Sequence, residues 1–125
     1  MSELNTPPSP EAVASFLKSI DFTPPEWYIN LMSQIHEKIF DFKGGKYLHL
    51  WPLIEVAEIH EGYNTDEEYF PGFFLIGTYE VGEACAIEKK TSHIYTVPFI
   101  GDILEDTTYI GKKLEDLIYY LQEPW

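Results

Sequence analysis

The apolar residues in the first third of the chain recur every three or four positions, which is the spacing of an amphipathic helix. A first helix is predicted from Pro10 to about Ile20, with Ser9 as its N-cap. A second, longer helix is predicted to begin at a capping box between Thr23 and Glu26 and to end at the glycine pair 44–45. Its buried stripe would be formed by Tyr28, Leu31, Met32, Ile35 and Ile39.

Beyond the glycine pair the period changes to the alternation of strands. Strands are predicted at 46–51, 73–79, 83–88 and 93–99. A short helix lies between the first two, from Pro52 to about Glu61 with Gly62 closing it, and a last helix covers 112–122. This order predicts an α+β domain with a largely antiparallel sheet, on which the N-terminal, mid-chain and C-terminal helices pack. Residues 1–8 are expected to be a flexible N-terminus, and 9–125 a single domain.

The charge balance excludes several classes of function. The chain has 125 residues, with 21 acidic and 8 basic side chains and a net charge of −13, and all eight basic residues are lysine. Such a chain repels phosphates, so sequence-independent binding of nucleic acid is not expected. Binding to an anionic membrane surface is disfavoured for the same reason.

The N-terminal and cysteine patterns favour a cytoplasmic protein. Residues 1–10 contain neither the basic nor the apolar region of a signal peptide. No apolar run approaches the ~20 residues that a membrane helix needs. The only cysteine, Cys85, has no partner for an intramolecular disulfide.

The negative charge is concentrated in one part of the chain. Nine acidic and no basic residues lie between Lys46 and Lys89. On the short helix, the 3.6-residue period turns Glu55 and Glu58 away from the face of Leu53, Val56 and His60. Exposed carboxylates steer a basic partner, and Trp and Tyr are common anchors of interfaces. The candidate partner-binding residues are Trp51, Glu55, Glu58, Tyr63, Asp66, Glu67, Glu68, Tyr69, Glu80 and Glu83.

The sequence gives less support for a catalytic or a metal site than for a partner-binding surface. His36, His49, His60 and His93 lie on different predicted elements without the spacing of zinc ligands, so no metal or other cofactor is expected. Glu80 and Glu83 flank a turn and could pair as acid and base in an enzyme acting on carbohydrate or another small molecule. Such an enzyme would need a concave pocket lined by Tyr and Trp with converging carboxylates. Solvated carboxylates beside a turn are the commoner arrangement, and Cys85 is expected to pack as a small apolar side chain.

Four blocks in the middle of the chain resemble the SUKH superfamily, which includes the fungal Smi/Knr regulators and many bacterial immunity proteins. The blocks are LHLWPL at 48–53, YFPGFFLIG at 69–77, GEACAI at 82–87 and IYTVPFIG at 94–101. The resemblance covers about 24–121 and begins at PPEWY (24–28). The turn at 78–82 departs from the family pattern, since it has one glycine where a pair is usual.

The resemblance implies an α+β domain without catalytic activity. In its bacterial branch it implies an immunity protein that neutralises a cognate toxin, often a nuclease, by occluding its active or substrate-binding surface. The alternative is a regulatory or scaffold module that binds cellular proteins, as in the fungal branch. The toxin itself and the oligomeric state are not predicted.

Overall fold

A computed structural model describes residues 6–64, 68–79, 82–100 and 103–124. The predicted flexible segment 1–8 therefore lies, for residues 1–5, outside the described residues. The helices are α1 (Pro10–Ser19), α2 (Glu26–Met32), α3 (Leu53–Tyr63), α4 (Ile103–Asp106) and α5 (Leu114–Gln122). The strands are β1 (Lys38–Asp41), β2 (Tyr47–Leu50), β3 (Phe73–Tyr79), β4 (Glu83–Glu88), β5 (Ile94–Pro98) and β6 (Thr108–Gly111).

The strands form one antiparallel sheet in the order of the sequence, β1 to β6. Each strand is joined to its neighbour by a connection that reverses direction, so the sheet is a meander. β3 and β4 have the predicted bounds, and β2 and β5 are each shorter than predicted by one residue at either end. The predicted α+β class with an antiparallel sheet is confirmed.

The first helix begins as predicted. The amide of Ala12 donates a hydrogen bond of 3.1 Å to the hydroxyl of Ser9, which satisfies one of the amides that a helix start leaves unpaired. Pro10 occupies the first turn, where a missing amide costs nothing. Phe16 is buried against the rings of Tyr28 and Phe74.

The prediction of a long second helix is wrong. α2 ends at Met32, and β1 begins at Lys38 and pairs with β2. The capping box does not form either, because Pro25 is the N-cap and makes no side-chain hydrogen bond. Ile39, placed on the buried stripe, is 47% exposed, while Phe40 beside it is buried. The helical spacing of apolar residues continues beyond Met32 only by coincidence, and the pairing of β1 with β2 determines the structure there.

The glycine pair forms the turn between β1 and β2 instead of a helix end. Gly44 has a φ of +80°, which favours glycine at that position. A Cβ atom on Gly45 would collide with the carbonyl oxygen of Leu121, so this turn packs backbone to backbone against the end of α5. The amide of Lys46 donates to that same carbonyl at 2.7 Å.

The side chain of Lys46 completes this contact. Its ammonium group donates to the carbonyl oxygens of Tyr120, Glu123 and Pro124 at 3.1, 2.7 and 3.3 Å. It also lies 4.2 Å from the centre of the Tyr120 ring. Only 4% of Lys46 is exposed. The last carbonyl groups of a helix carry its negative end, so a buried cation is stabilised there.

The core lies where the helices meet the sheet. Tyr28 of α2 and the ring of Tyr79 on β3 are buried, and Thr96 on β5 donates a hydrogen bond of 3.0 Å to the Tyr79 hydroxyl. The largest fully buried side chains are Tyr28, Met32, Leu48, Leu50, Leu75, Ile76, Ile87, Ile94, Leu117, Leu121, Val56 and Val97. The sequence patterns did not predict α4, β1 or β6.

Among the described helices, none is long and apolar enough to cross a membrane.

The lysine contact gives a stability prediction. Replacing Lys46 with Met removes three hydrogen bonds made by a buried cation and its contact with the Tyr120 ring, so we expect the free energy of unfolding to fall by about 2–4 kcal/mol. Urea unfolding monitored by tryptophan fluorescence measures the change. Lys43→Met is the matched control, because Lys43 is exposed on the same turn and should change stability little. Equal effects of the two substitutions would contradict a structural role of the Lys46 cation.

Candidate functional site

The mid-chain helix α3 carries the predicted acidic face. Pro52 is its N-cap, and Leu53, Val56 and His60 are its buried residues. Glu55 and Glu58 are exposed on the other side, as the helical period predicts. The helix continues through Gly62 to Tyr63, two residues beyond its predicted end.

His60 attaches α3 to the edge of the sheet. β2 pairs with β3 only from Gly77 to Tyr79, so the first half of β3 extends beyond the end of β2. There the amide of Leu75 donates a hydrogen bond of 3.0 Å to Nδ1 of His60. An accepting Nδ1 means that the imidazole is neutral with its proton on Nε2. His60 therefore serves the fold by satisfying a buried backbone amide.

Asn64 performs a similar function at the C-terminal end of α3. Its side-chain oxygen accepts hydrogen bonds from the amides of Tyr69 and Phe70 at 3.1 and 2.7 Å. Its side-chain nitrogen donates to the carbonyl of Phe70 at 3.0 Å. Asn64 is fully buried, so these three bonds hold Tyr69 and Phe70 rigidly beside the end of the helix.

The residues at this end of α3 form a concave group of rings that we call the aromatic hollow. It is a shallow, open depression of about 360 Å³, lined by Gly62, Tyr63, Tyr69, Phe70 and Phe99. The ring centres of Tyr63 and Phe99 are 4.9 Å apart, and Phe70 meets Phe99 edge-on at 6.2 Å. Tyr63 is 45% exposed and Tyr69 60% exposed, so the hollow opens to solvent.

Trp51 supports the hollow from within. Its ring is parallel to that of Tyr63, with 6.0 Å between the centres and 9° between the planes. Only 6% of Trp51 is exposed. Trp51 was predicted to contact a partner, but in this structure it offers almost no surface and acts by holding Tyr63 in place.

The structure brings some of the candidate residues together and separates others. Tyr63 and Tyr69 meet in the aromatic hollow, Glu55 and Glu58 lie along the helix that leads to it, and the exposed Glu68 precedes Tyr69. Three further candidates, Asp66, Glu67 and Glu80, lie outside the described residues.

Glu83 lies in a different environment. It is half-buried at the start of β4 and pairs with Pro98 of β5. Burial and the negative charge of Asp106 raise the pKa of its carboxyl group, and Lys46 partly opposes that change. Glu83 is therefore influenced by Lys46 and by Asp106 of α4.

The lysines that bracket the acidic segment are both engaged. Lys46 is buried in the carbonyl groups of α5. Lys89 forms an ion pair of 3.1 Å with Asp21, just after α1. The segment between them contains no lysine or arginine, and Lys89 lines the same cleft as Glu61 of α3.

The histidines and the cysteine have positions that suit the fold. His49 pairs with Glu37, and His93 packs against the ring of Tyr109. No group of three or more metal-binding side chains is found among the described residues. Cys85 is fully buried, and burial raises the pKa of its thiol to about 12 although a hydrogen bond with Tyr79 opposes this. The thiol therefore packs as an apolar group, as predicted.

The described pockets do not combine the features expected of a carbohydrate enzyme. The aromatic hollow has tyrosine but no carboxylate among its lining residues. A polar cleft of about 310 Å³ between α1 and α3 is lined by Asp21, Glu61 and His60, but by no Tyr or Trp.

Sequence reasoning missed three residues of the site. Phe70 and Phe99 were assigned only to the strand-forming blocks, and Asn64 was not singled out. Asn64 follows a predicted helix end, where Asn is a common capping residue, and this signal could have identified it. No local pattern indicates that Phe99 meets Tyr63, because the two are far apart in the chain.

Comparison with protein-family models and with curated proteins finds no match for this chain.

The role of Asn64 can be tested directly. Asn64→Ala removes the side-chain acceptor of the Tyr69 and Phe70 amides, while the Phe70 carbonyl keeps its bond from the Phe73 amide, so we expect a loss of about 2–3 kcal/mol in the free energy of unfolding. Hydrogen exchange of the Tyr69 and Phe70 amides should accelerate more than exchange in the sheet. Asn30→Ala is the control, because Asn30 is exposed and its carbonyl, which accepts the local hydrogen bonds, remains. Unchanged exchange at Tyr69 and Phe70 would contradict the proposed rigidity of the hollow.

Proposed function

We propose that this protein is a non-enzymatic binding domain of the SUKH type, and specifically an immunity protein that neutralises a bacterial toxin by covering its active or substrate-binding surface. The observation that carries the proposal is one continuous feature of α3. Exposed carboxylates run along the helix and lead to the rigid, solvent-open aromatic hollow at its end.

The charge of α3 suits a nuclease toxin. A nuclease is basic where it holds the phosphates of its substrate, and a partner with carboxylates on its surface is attracted to that region. Attraction over several ångströms raises the rate of association and disfavours partners of like charge. With a net charge of −13, the chain would be strongly steered toward such a surface.

The aromatic hollow supplies what charge alone does not. Interfaces derive most of their binding energy from a few side chains, commonly Tyr, Trp and Arg, that fit well-packed pockets. Tyr63 and Tyr69 are large, partly exposed and held in place, which favours them as anchors. Steering by α3 and anchoring at the hollow would then act on one partner surface.

The family-like blocks meet at the same place. Trp51 belongs to the first block, Tyr69 and Phe70 to the second, and Phe99 to the fourth. Their rings lie around Tyr63, whose own segment lies between the first two blocks. This convergence supports the SUKH interpretation, because the residues that carry the resemblance contribute to one surface feature.

The direct test is binding of the toxin encoded beside the gene. We expect the two proteins to copurify when expressed together, and the purified chain to inhibit the toxin with an affinity in the micromolar range or tighter. A cell expressing both should survive, whereas a cell expressing the toxin alone should not. Absence of binding at micromolar concentrations would refute the proposed function.

The role of the acidic face has its own prediction. The double substitution Glu55→Lys and Glu58→Lys should lower the association rate constant about tenfold at low ionic strength and weaken its dependence on salt. Dissociation should change little, because exposed charges act mainly during approach. Stopped-flow or surface-based kinetics at several salt concentrations measures both rates.

The matched control reverses the same charge elsewhere. Glu105→Lys with Glu115→Lys gives the same net charge, and both positions are exposed on elements other than α3. If this pair slows association as much as the α3 pair does, the effect is one of net charge, and α3 is not the contact face.

A further inference from the structure

The rings of the aromatic hollow are held by contacts within the chain. Asn64 binds the backbone on both sides of the Tyr69–Phe70 peptide, and Tyr63 lies flat against the buried Trp51. Binding to a surface that is already ordered costs less conformational entropy than binding to a mobile one. A site of this kind can bind a small group without support from a large interface.

The hollow has room for a side chain of a partner protein. Its volume of about 360 Å³ lies near the lower end of the range for ligand sites, roughly 300–1,000 Å³. Four aromatic rings and one glycine form its lining, and none of these groups is charged. A ligand would therefore be held by contact with ring faces and edges.

Negative charge lies beside the rings in the chain. The exposed Glu68 immediately precedes Tyr69, which lines the hollow. Ring faces carry partial negative charge and attract cations. The rings and this neighbouring carboxylate therefore favour a cationic group over a neutral or an anionic one.

We infer that the aromatic hollow captures an arginine side chain of the partner protein. A guanidinium group is planar, stacks on aromatic rings and is more weakly hydrated than the ammonium group of lysine, so it gains more from this lining. The chain itself contains no arginine, so a second copy cannot supply this ligand. The inference rests on the proposed function for the identity of the partner and specifies the residue by which the partner is anchored.

Short peptides test the site without the toxin. The full-length chain, labelled with ¹⁵N and ¹³C, is titrated with acetyl-Gly-Gly-Arg-Gly-Gly-amide and with the same peptide carrying lysine or norleucine. We expect saturable shifts of the Tyr63, Tyr69 and Phe99 signals with the arginine peptide, weaker binding of the lysine peptide, and no saturable binding of the norleucine peptide. Equal binding of norleucine would overturn the inference, because the hollow would then be an apolar site. Shifts that do not saturate, or that occur only at Glu55 and Glu58, would overturn it as well.

Substitutions at one exposed ring sharpen the test. Tyr69→Ala should weaken binding of the arginine peptide about threefold to fivefold, whereas Tyr69→Phe keeps the ring and should retain most of it. The backbone of residue 69, which binds Asn64, remains in both variants. Tyr119→Ala is the matched control, since Tyr119 is 70% exposed on α5 and should not affect binding. Unchanged binding by Tyr69→Ala would overturn the site.

The outcomes separate this inference from the proposed function. If the peptide binds in the hollow but the chain does not bind the neighbouring toxin, the arginine site stands and the proposed function fails. If the toxin is bound while the peptide is not and Tyr69→Ala leaves toxin affinity unchanged, the proposed function stands and the arginine site is wrong.

Discussion

The architecture depends on the buried ammonium group of Lys46, whose hydrogen bonds to Tyr120, Glu123 and Pro124 end at the last carbonyl groups of α5. α5 follows β6, one edge of the sheet, and its far end is bound to the turn between β1 and β2, which form the other edge. One helix therefore joins both edges of an open sheet. A burial of this kind is stable only because each donor of the cation has an acceptor, and because Gly45 lets the two backbones approach.

A second constraint acts at the edge of β3 where β2 ends. There α3 covers the strand, and His60 accepts a hydrogen bond from the amide of Leu75, which β2 does not reach. Asn64, the C-cap of α3, binds the backbone of Tyr69 and Phe70 just before β3. These bonds bury one face of α3 and leave its carboxylates in solvent. They also determine where the helix ends, and the rings beyond that point come together as the aromatic hollow. The candidate binding surface is thus a consequence of how the sheet edge is covered.

Charge and aromatic surface complement each other in the proposed function. Carboxylates act over distance and are weakened by salt, whereas the rings act only on contact and tolerate it. A protein that must find a basic partner quickly and then remain bound needs both properties. Lys46 is held by carbonyl groups at the end of α5, and no lysine or arginine lies between it and Lys89, so Glu55 and Glu58 have no cation within their own segment.

The sequence alone predicted the elements that local chemistry specifies. The Ser9 cap of α1, the bounds of β3 and β4 and the buried side of α3 follow from capping, β-forming residues and helical period. The sequence-based prediction failed where a segment far away in the chain determines the structure. Lys38–Asp41 forms a strand because β2 lies beside it, although its spacing also suits a helix.

The residues of the candidate site fall into the same two groups. Tyr63, Tyr69, Glu55 and Glu58 could be named from residue type, but the burial of Trp51, the role of Asn64 and the approach of Phe99 depend on contacts between segments far apart in the chain. Local pattern carries no information on such contacts, because they form only when the whole sheet and its covering helices are assembled.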